Sequence, residues 1–187
     1  MNIQEDQDII EKYKSESTRN EALSLLIKRY QRPLYWHIRK IVISHDDADD
    51  TLQNTFIKIW KGLANFRGES SLFTWTYKIA TNEALNFLRV KSREKINSIN
   101  NVEYYLSKSL ESDEYFNGDQ IQLKLQQAIL TLPEKQRIVF NMRYYDEMPY
   151  DKMSEILETS VGALKASYHH AAKKIEEYMK ENMSIQK

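Results

Sequence analysis

The stretch TSVGALKASYHHAAKK, residues 159 to 174, sets two adjacent histidines, His169 and His170, among lysines and very small residues. On a helix the apolar positions Val161, Leu164, Tyr168, Ala171 or Ala172, Ile175 and Met179 fall on one stripe and predict an inward face. The opposite face presents Gly162, Ala163, Lys165, Ala166, His169, His170 and Lys173, with no acid until Glu176. A merely solvated face would more usually mix glutamate with lysine. A helix that enters the major groove turns its first residues toward base edges, and small residues there permit depth of entry.

Two other clusters could do chemistry. HDDADD, 45 to 50, offers histidine and carboxylates, which bind cations. Helix capping explains His45 to Asp47 with less, because acids favour the positive end of a helix, and no metal is assigned. Asp49, Asp50, Gln53 and Asn54 then remain on the face opposite Leu52 and Phe56, as a contact surface for a basic partner or as a solvated face. Further on, Arg67, Lys78, Arg89, Lys91, Arg93 and Lys95 accompany Phe66, Phe73, Trp75 and Tyr77. Interleaved rings and cations suit single-stranded nucleic acid, where bases stack and phosphates meet cations. The alternative places the rings in the core, as expected for Phe73 and Tyr77, with Trp75 at a domain edge.

The elements that must position these groups are helices. Leu23, Leu26, Ile27, Tyr30, Leu34, Ile38, Ile41 and Val42 repeat at three and four, and Pro33 predicts two helices or one sharply kinked helix. SHDD at 44 to 47 starts a helix carrying Leu52, Phe56, Ile59, Trp60 and Leu63 inward. FRGESS, 66 to 71, reads as a loop ending in an N-cap. A helix follows from about Leu72 to Arg93, with Leu72, Phe73, Tyr77, Ala80, Ala84, Phe87 and Leu88 inward. Periodicity fades from Ile96 to Asp119, where Asn, Ser, Asp and Glu suggest a mobile linker. Beyond Gln120, Pro133 and Pro149 each sit at a first helical turn, and the short turn ETS before the opening stretch gives a helix-turn-helix.

Composition agrees with this reading. The 187 residues hold only 4 Gly and 3 Pro, poor material for turn-rich sheets, so an all-α protein of two small domains is expected: 1 to 95, a linker 96 to 119, and 120 to 187. The absence of cysteine excludes disulfides, thiolate metal sites and a cysteine nucleophile. A net charge of zero excludes a uniformly basic coat but not local patches. The N-terminus, MNIQEDQDIIEKYKSES, has no apolar stretch long enough for a signal peptide or membrane span, so a soluble cytoplasmic protein without membrane insertion is expected.

Taken together, DADDTLQNTFIKIWKGLANFRGESSLFTWTYKIATNEALNFLR resembles the polymerase-binding and promoter-melting domain of extracytoplasmic-function (ECF) sigma factors. LPEKQRIVFNMRYYDEMPYDKMSEILETSVGALKASYHHAAKKI resembles their C-terminal domain. The resemblance implies a protein, not an enzyme and without cofactor, that docks on core RNA polymerase, directs it to promoters and helps open the duplex. By resemblance, Asp49, Asp50, Gln53, Asn54 and Phe56 face the polymerase. Arg67, Gly68, Ser70, Ser71, Trp75, Lys78, Asn82, Asn86 and Arg89 match the reader of the melted "minus ten" strand. Ser160, Gly162, Ala163, Lys165, Ala166, His169, His170 and Lys173 match the reader of the duplex "minus thirty-five" element. An anti-sigma partner is implied as well. The chain departs from the family at Ser167, His170 and Ala172, where arginine is frequent, and at Glu158, where the turn often has glycine. The rival reading is a conventional helix-turn-helix regulator that uses only the second domain on DNA. A third, a helical metal-dependent hydrolase on the acidic run, lacks a second ligand cluster inside an apolar helix.

Overall fold

The computed structural model describes residues 3–94, 102–112 and 120–183, and among these every regular element is helical. Lys95, the linker residues 96–101 and 113–119, and the tail from 184 lie outside the described residues. The first bundle comprises α1 (Ile3–Lys14), α2 (Arg19–Val42), α3 (His45–Gly62) and α4 (Leu72–Glu94). Helix α2 is its axis, packed against the other three. Ala22, Leu26, Tyr30, Leu34, Ile38 and Ile41 recur at three and four along α2 and are buried. Each large apolar side chain taken fully inside contributes about 1.5–3 kcal/mol. Ile27, expected on this stripe, is 37% exposed instead, because it lies one residue, roughly 100° around the helix, past Leu26.

Pro33 sits inside α2, which continues as one helix. Proline has no N–H to donate to the Arg29 carbonyl, at a cost of about 3 kcal/mol, and the buried side chains on both sides offset it. The helix ends abruptly at Ile43, whose φ of 67° is unusual for a β-branched residue. The Ser44 N–H donates to the Val42 carbonyl at 2.9 Å, closing a tight turn about Ile43. Ile43 is 1% exposed, so core burial holds this strained residue in place.

Sequence periodicity did not single out α1. It is tied down by Asp6, which accepts from the Tyr30 hydroxyl at 2.7 Å and lies 2.7 Å from the Arg29 guanidinium. Nor did it find α5 (Val102–Glu111), a helix within the expected linker. Leu106 and Leu110 of α5 are fully buried, and the Tyr105 hydroxyl donates to Asp47 on α3.

The second half contains α6 (Gln120–Leu130), α7 (Glu134–Tyr144), α8 (Tyr150–Leu157) and α9 (Val161–Met183). Pro133 and Pro149 each precede their helix as its N-cap, one residue earlier than the first-turn position expected. Helix α9 packs on α6, α7 and α8. The halves share one apolar cluster: Leu130, Ile138, Val139, Met142, Met148, Met153, Ile156 and Leu164 join Leu26, Leu34 and Ile38 in it. At the seam, His37 on α2 sets Nδ1 3.1 Å from Asp146 and Nε2 2.8 Å from the Thr81 hydroxyl on α4. Lys40 also pairs with Asp146, and the Asn141 side-chain amide donates to the Lys40 carbonyl at 3.1 Å. Burial pushes the Asp146 carboxyl up, but the His37 hydrogen bond and the charges of His37 and Lys40 outweigh it and hold the group below its ordinary range.

Candidate polymerase and nucleic-acid interfaces

Helix α3 starts at Ser44, whose Oγ accepts from the Asp47 N–H at 3.4 Å, so the acidic run serves the helix start as its position suggests. Asp47 is further engaged by Tyr105, whose phenol is pushed up to about 12 by burial and by this hydrogen bond. Asp50, Gln53 and Asn54 are exposed on one face, and Asp49 is half-buried with its carboxylate 3.6 Å from His45. Phe56 lies on the inner margin, half-buried against the core. Ile57 escaped the sequence reading. It is 51% exposed and one turn beyond Gln53 and Asn54, so it adds an apolar centre to a polar face. A lone isoleucine at that spacing in an otherwise polar stripe was the available signal.

The loop before α4 reverses at Gly68, whose φ of 74° is cheap only for glycine. It closes on Ser71, whose Oγ accepts from the Thr74 N–H at 3.1 Å and caps α4 as expected. Trp75, Lys78, Asn82, Asn86 and Arg89 then follow at intervals of three or four and share one face, on which Asn82, Asn86 and Arg89 are exposed. Of the four rings in this block, Tyr77 is buried and Phe73 lies tilted against it with centroids 4.2 Å apart, while Phe66 and Trp75, both half-buried, pair at 5.0 Å on the cleft wall. Trp75 leans over Gly62, where a Cβ would meet its ring at 2.9 Å. Lys91 is taken up by the rings of Phe87 and Tyr105 at 5.3 and 5.8 Å.

Phe66, Arg67, Ser70, Thr74, Trp75 and Lys78 line a cleft of about 390 Å³. Sequence reasoning missed its last wall, which comes from the other half of the chain. Glu155 on α8 accepts from the Thr74 hydroxyl at 3.0 Å, and Glu158 accepts from the Lys78 ammonium at 2.5 Å.

The α8–α9 turn passes through Glu158, left-handed at φ 51° and ψ 41°. Ser160 caps α9, its Oγ accepting from the Ala163 N–H at 3.3 Å. Leu164, Ala171 and Ile175 are buried and Tyr168 is half-buried, while Gly162, Ala163, Lys165, Ala166, His169, His170 and Lys173 are exposed, which is the division the spacing predicts. At Gly162 an added Cβ would meet nothing within 4 Å, so internal packing does not require its smallness.

Comparisons with known proteins converge on one family. Sigma-70 region 2 matches residues 26–94, and sigma-70 region 4 matches residues 122–175. The chain is similar to the RNA polymerase sigma-H factor of Pseudomonas aeruginosa, 29% identical over 181 residues, covering 92% of this chain and 93% of that protein. It is 30% identical over 166 residues to the ECF RNA polymerase sigma-E factor of Escherichia coli strain K12, covering 83% of this chain and 85% of that one. In fold it is similar to CnrH in a complex with the cytosolic domain of CnrY, with a TM-score of 0.69, 17% identity and coverage of 95% and 98%. It is also similar to the sigma factor RpoE of Bartonella quintana, solved with the anti-sigma factor NepR, with a TM-score of 0.65, 20% identity and coverage of 89% and 98%. With both sigma regions in order along a helical chain, and with relatives aligned over most of its length, this protein belongs to the ECF RNA polymerase sigma factors of the sigma-70 family.

Proposed function

We propose that this sigma factor works entirely by binding, through three faces that act in sequence. Asp49, Asp50, Gln53 and Asn54, with Phe56 at the margin and Ile57 as apolar centre, take core RNA polymerase. The exposed face of α9 takes the duplex "minus thirty-five" element: Lys165 and Lys173 meet phosphates, and His169 and His170 reach base edges. The Phe66–Trp75 cleft with Lys78, Asn82, Asn86 and Arg89 takes the melted "minus ten" strand. Arg67, Gly68, Ser70 and Ser71 shape that cleft. Captured bases offset an unpairing cost of a few kcal/mol by stacking and hydrogen bonds. In this reading residues 1–95 and 120–187 are the two functional domains and 96–119 joins them. An anti-sigma partner is inferred from the two structural neighbours, each solved in a complex, one with an anti-sigma factor and one with a cytosolic domain of another protein.

The observation that carries the reading is the presence of two distinct solvent-facing surfaces in the family's order, one acidic and polar on α3 and one acid-free on the first three turns of α9. The test is retention of core RNA polymerase on immobilised protein. Replacing Asp49, Asp50 and Gln53 by Ala should abolish retention while leaving duplex DNA binding through α9 intact. Retention equal to wild type would favour the conventional regulator instead.

A further inference from the structure

The family's turn often has glycine where this chain has Glu158, and the backbone there is left-handed at φ 51°, a conformation that glycine adopts without strain and glutamate does not. Helix geometry alone gives no reason for the choice. The side chain does. Its carboxylate crosses to the first half of the chain and meets the Lys78 ammonium at 2.5 Å, and one turn earlier Glu155 meets the Thr74 hydroxyl at 3.0 Å. Lys78 holds the Glu158 carboxyl below its ordinary range by that hydrogen bond and by its charge.

Both partners belong to the face assigned to the melted strand. Lys78 is the cation on the α4 stripe nearest the cleft, and Thr74 lies on the cleft wall between Ser70 and Trp75. A carboxylate on Lys78 satisfies the donor that a strand phosphate would use, and a second carboxylate beside it repels that phosphate. We propose that α8 acts as an internal substitute for the strand, with Glu158 and Glu155 covering the "minus ten" reader until the two halves of the chain separate. The proposal rests on the assignment of the Thr74–Lys78 face to single-stranded DNA.

The same arrangement leaves the other reader open. Gly162, Ala163, Lys165, Ala166, His169 and His170 are exposed while Glu158 is engaged. The closed chain can therefore meet duplex DNA but not a melted strand. Strand capture waits for an event that pulls α8 from α4, and docking on polymerase is such an event if the enzyme holds the two halves apart.

The test uses the full chain. Because the protein has no cysteine, single cysteines at the exposed positions Ala64 and Asp151, one in each half, can carry a fluorescent donor and acceptor. Binding is measured to a random-sequence single-stranded DNA pool and to duplex DNA, at one fixed salt concentration. The variant is Glu158→Gly with Glu155→Gln; glycine suits the left-handed turn, so the fold is kept. Glu16→Gln with Glu134→Gln, both exposed and neither lining the cleft, removes the same charge as a control.

The expected result is single-strand binding about fivefold tighter in the α8 variant than in the charge-matched control, with duplex binding equal in the two. Energy transfer in the otherwise wild-type labelled chain should fall as the strand pool is added. Equal strand affinity in variant and control, with energy transfer unchanged on strand binding, overturns the proposal while leaving the strand-reading assignment intact. If Lys78→Ala and Trp75→Ala in the α8 variant leave strand binding unaltered, the assignment itself fails and the proposal falls with it.

Discussion

At Gly162 an added Cβ meets nothing within 4 Å, whereas at Gly62 it would stand 2.9 Å from the Trp75 ring. The first residue is small for something outside the protein, the second for something inside it. Gly62→Ala should displace Trp75 from Phe66, costing about 1–3 kcal/mol in urea unfolding and shifting tryptophan emission, because overpacking a fitted site forces side chains off their rotamers. Gly162→Ala, inside a helix and free of clashes, should not destabilise the fold and should weaken duplex binding only. Lys165→Ala should weaken binding to all duplexes and lower the salt slope by about one unit, as loss of one phosphate contact does. His169→Ala or His170→Ala should instead change the rank order of duplex sequences. A uniform loss in a binding-selection experiment would contradict that division. His170 stands where arginine is frequent in the family, and an imidazole lacks the planar fork of donors with which arginine grips guanine. The histidines are therefore where this chain's promoter choice should differ from its relatives.

At the scale of elements, much of the molecule was legible in the sequence because caps and periodicity agreed. Ser44, Ser71 and Ser160 each accept from a backbone N–H three residues on, and each lies where a polar cluster gives way to an apolar repeat. Helix α4 runs close to its predicted limits, and α4 and α9 both turn their predicted apolar faces inward. Pro33 left two readings open, and continuous burial on both sides of it selects the single helix. What periodicity could not supply was α5, whose two buried leucines, Leu106 and Leu110, are too few to stand out within an Asn- and Ser-rich stretch. Its anchor, the Tyr105–Asp47 hydrogen bond, joins residues 58 apart in sequence and has no local signature. Tyr105→Phe should cost about 1–2 kcal/mol, since it leaves the half-buried Asp47 carboxylate without this donor. Hydrogen exchange across 102–111 should quicken, and unchanged exchange would place the anchor of α5 elsewhere.

For the whole molecule, the seam between the halves was invisible in advance for the same reason. His37 and Asp146 are 109 residues apart, and no local spacing links them. Yet His37 ties Thr81 on α4 to Asp146, four residues before α8, close to where α8 meets α4. The seam makes closure sensitive to acid, with a definite sign. A carboxyl held below its ordinary range when folded contributes stability that is fully present above the unfolded value and is lost as pH falls through the folded one. Closure should therefore hold at neutral pH and loosen below the ordinary carboxylate range. Asp146→Ala should remove that dependence and cost about 3 kcal/mol, because His37 and Lys40 then lose a shared, largely buried partner. Urea unfolding at neutral and acid pH checks both; a variant as stable as wild type would mean that the apolar cluster alone holds the seam. Among the described residues no helix is long and apolar enough to cross a membrane.

Whether the polar face of α3 delivers polymerase to sites chosen by α9 and opened at α4 is decided by transcription from a genomic promoter library with core RNA polymerase and this protein alone. Discrete new start sites sharing two spaced elements are expected, abolished by the joint substitution of Asp49, Asp50 and Gln53. A transcript profile no different from that of core enzyme alone would contradict it.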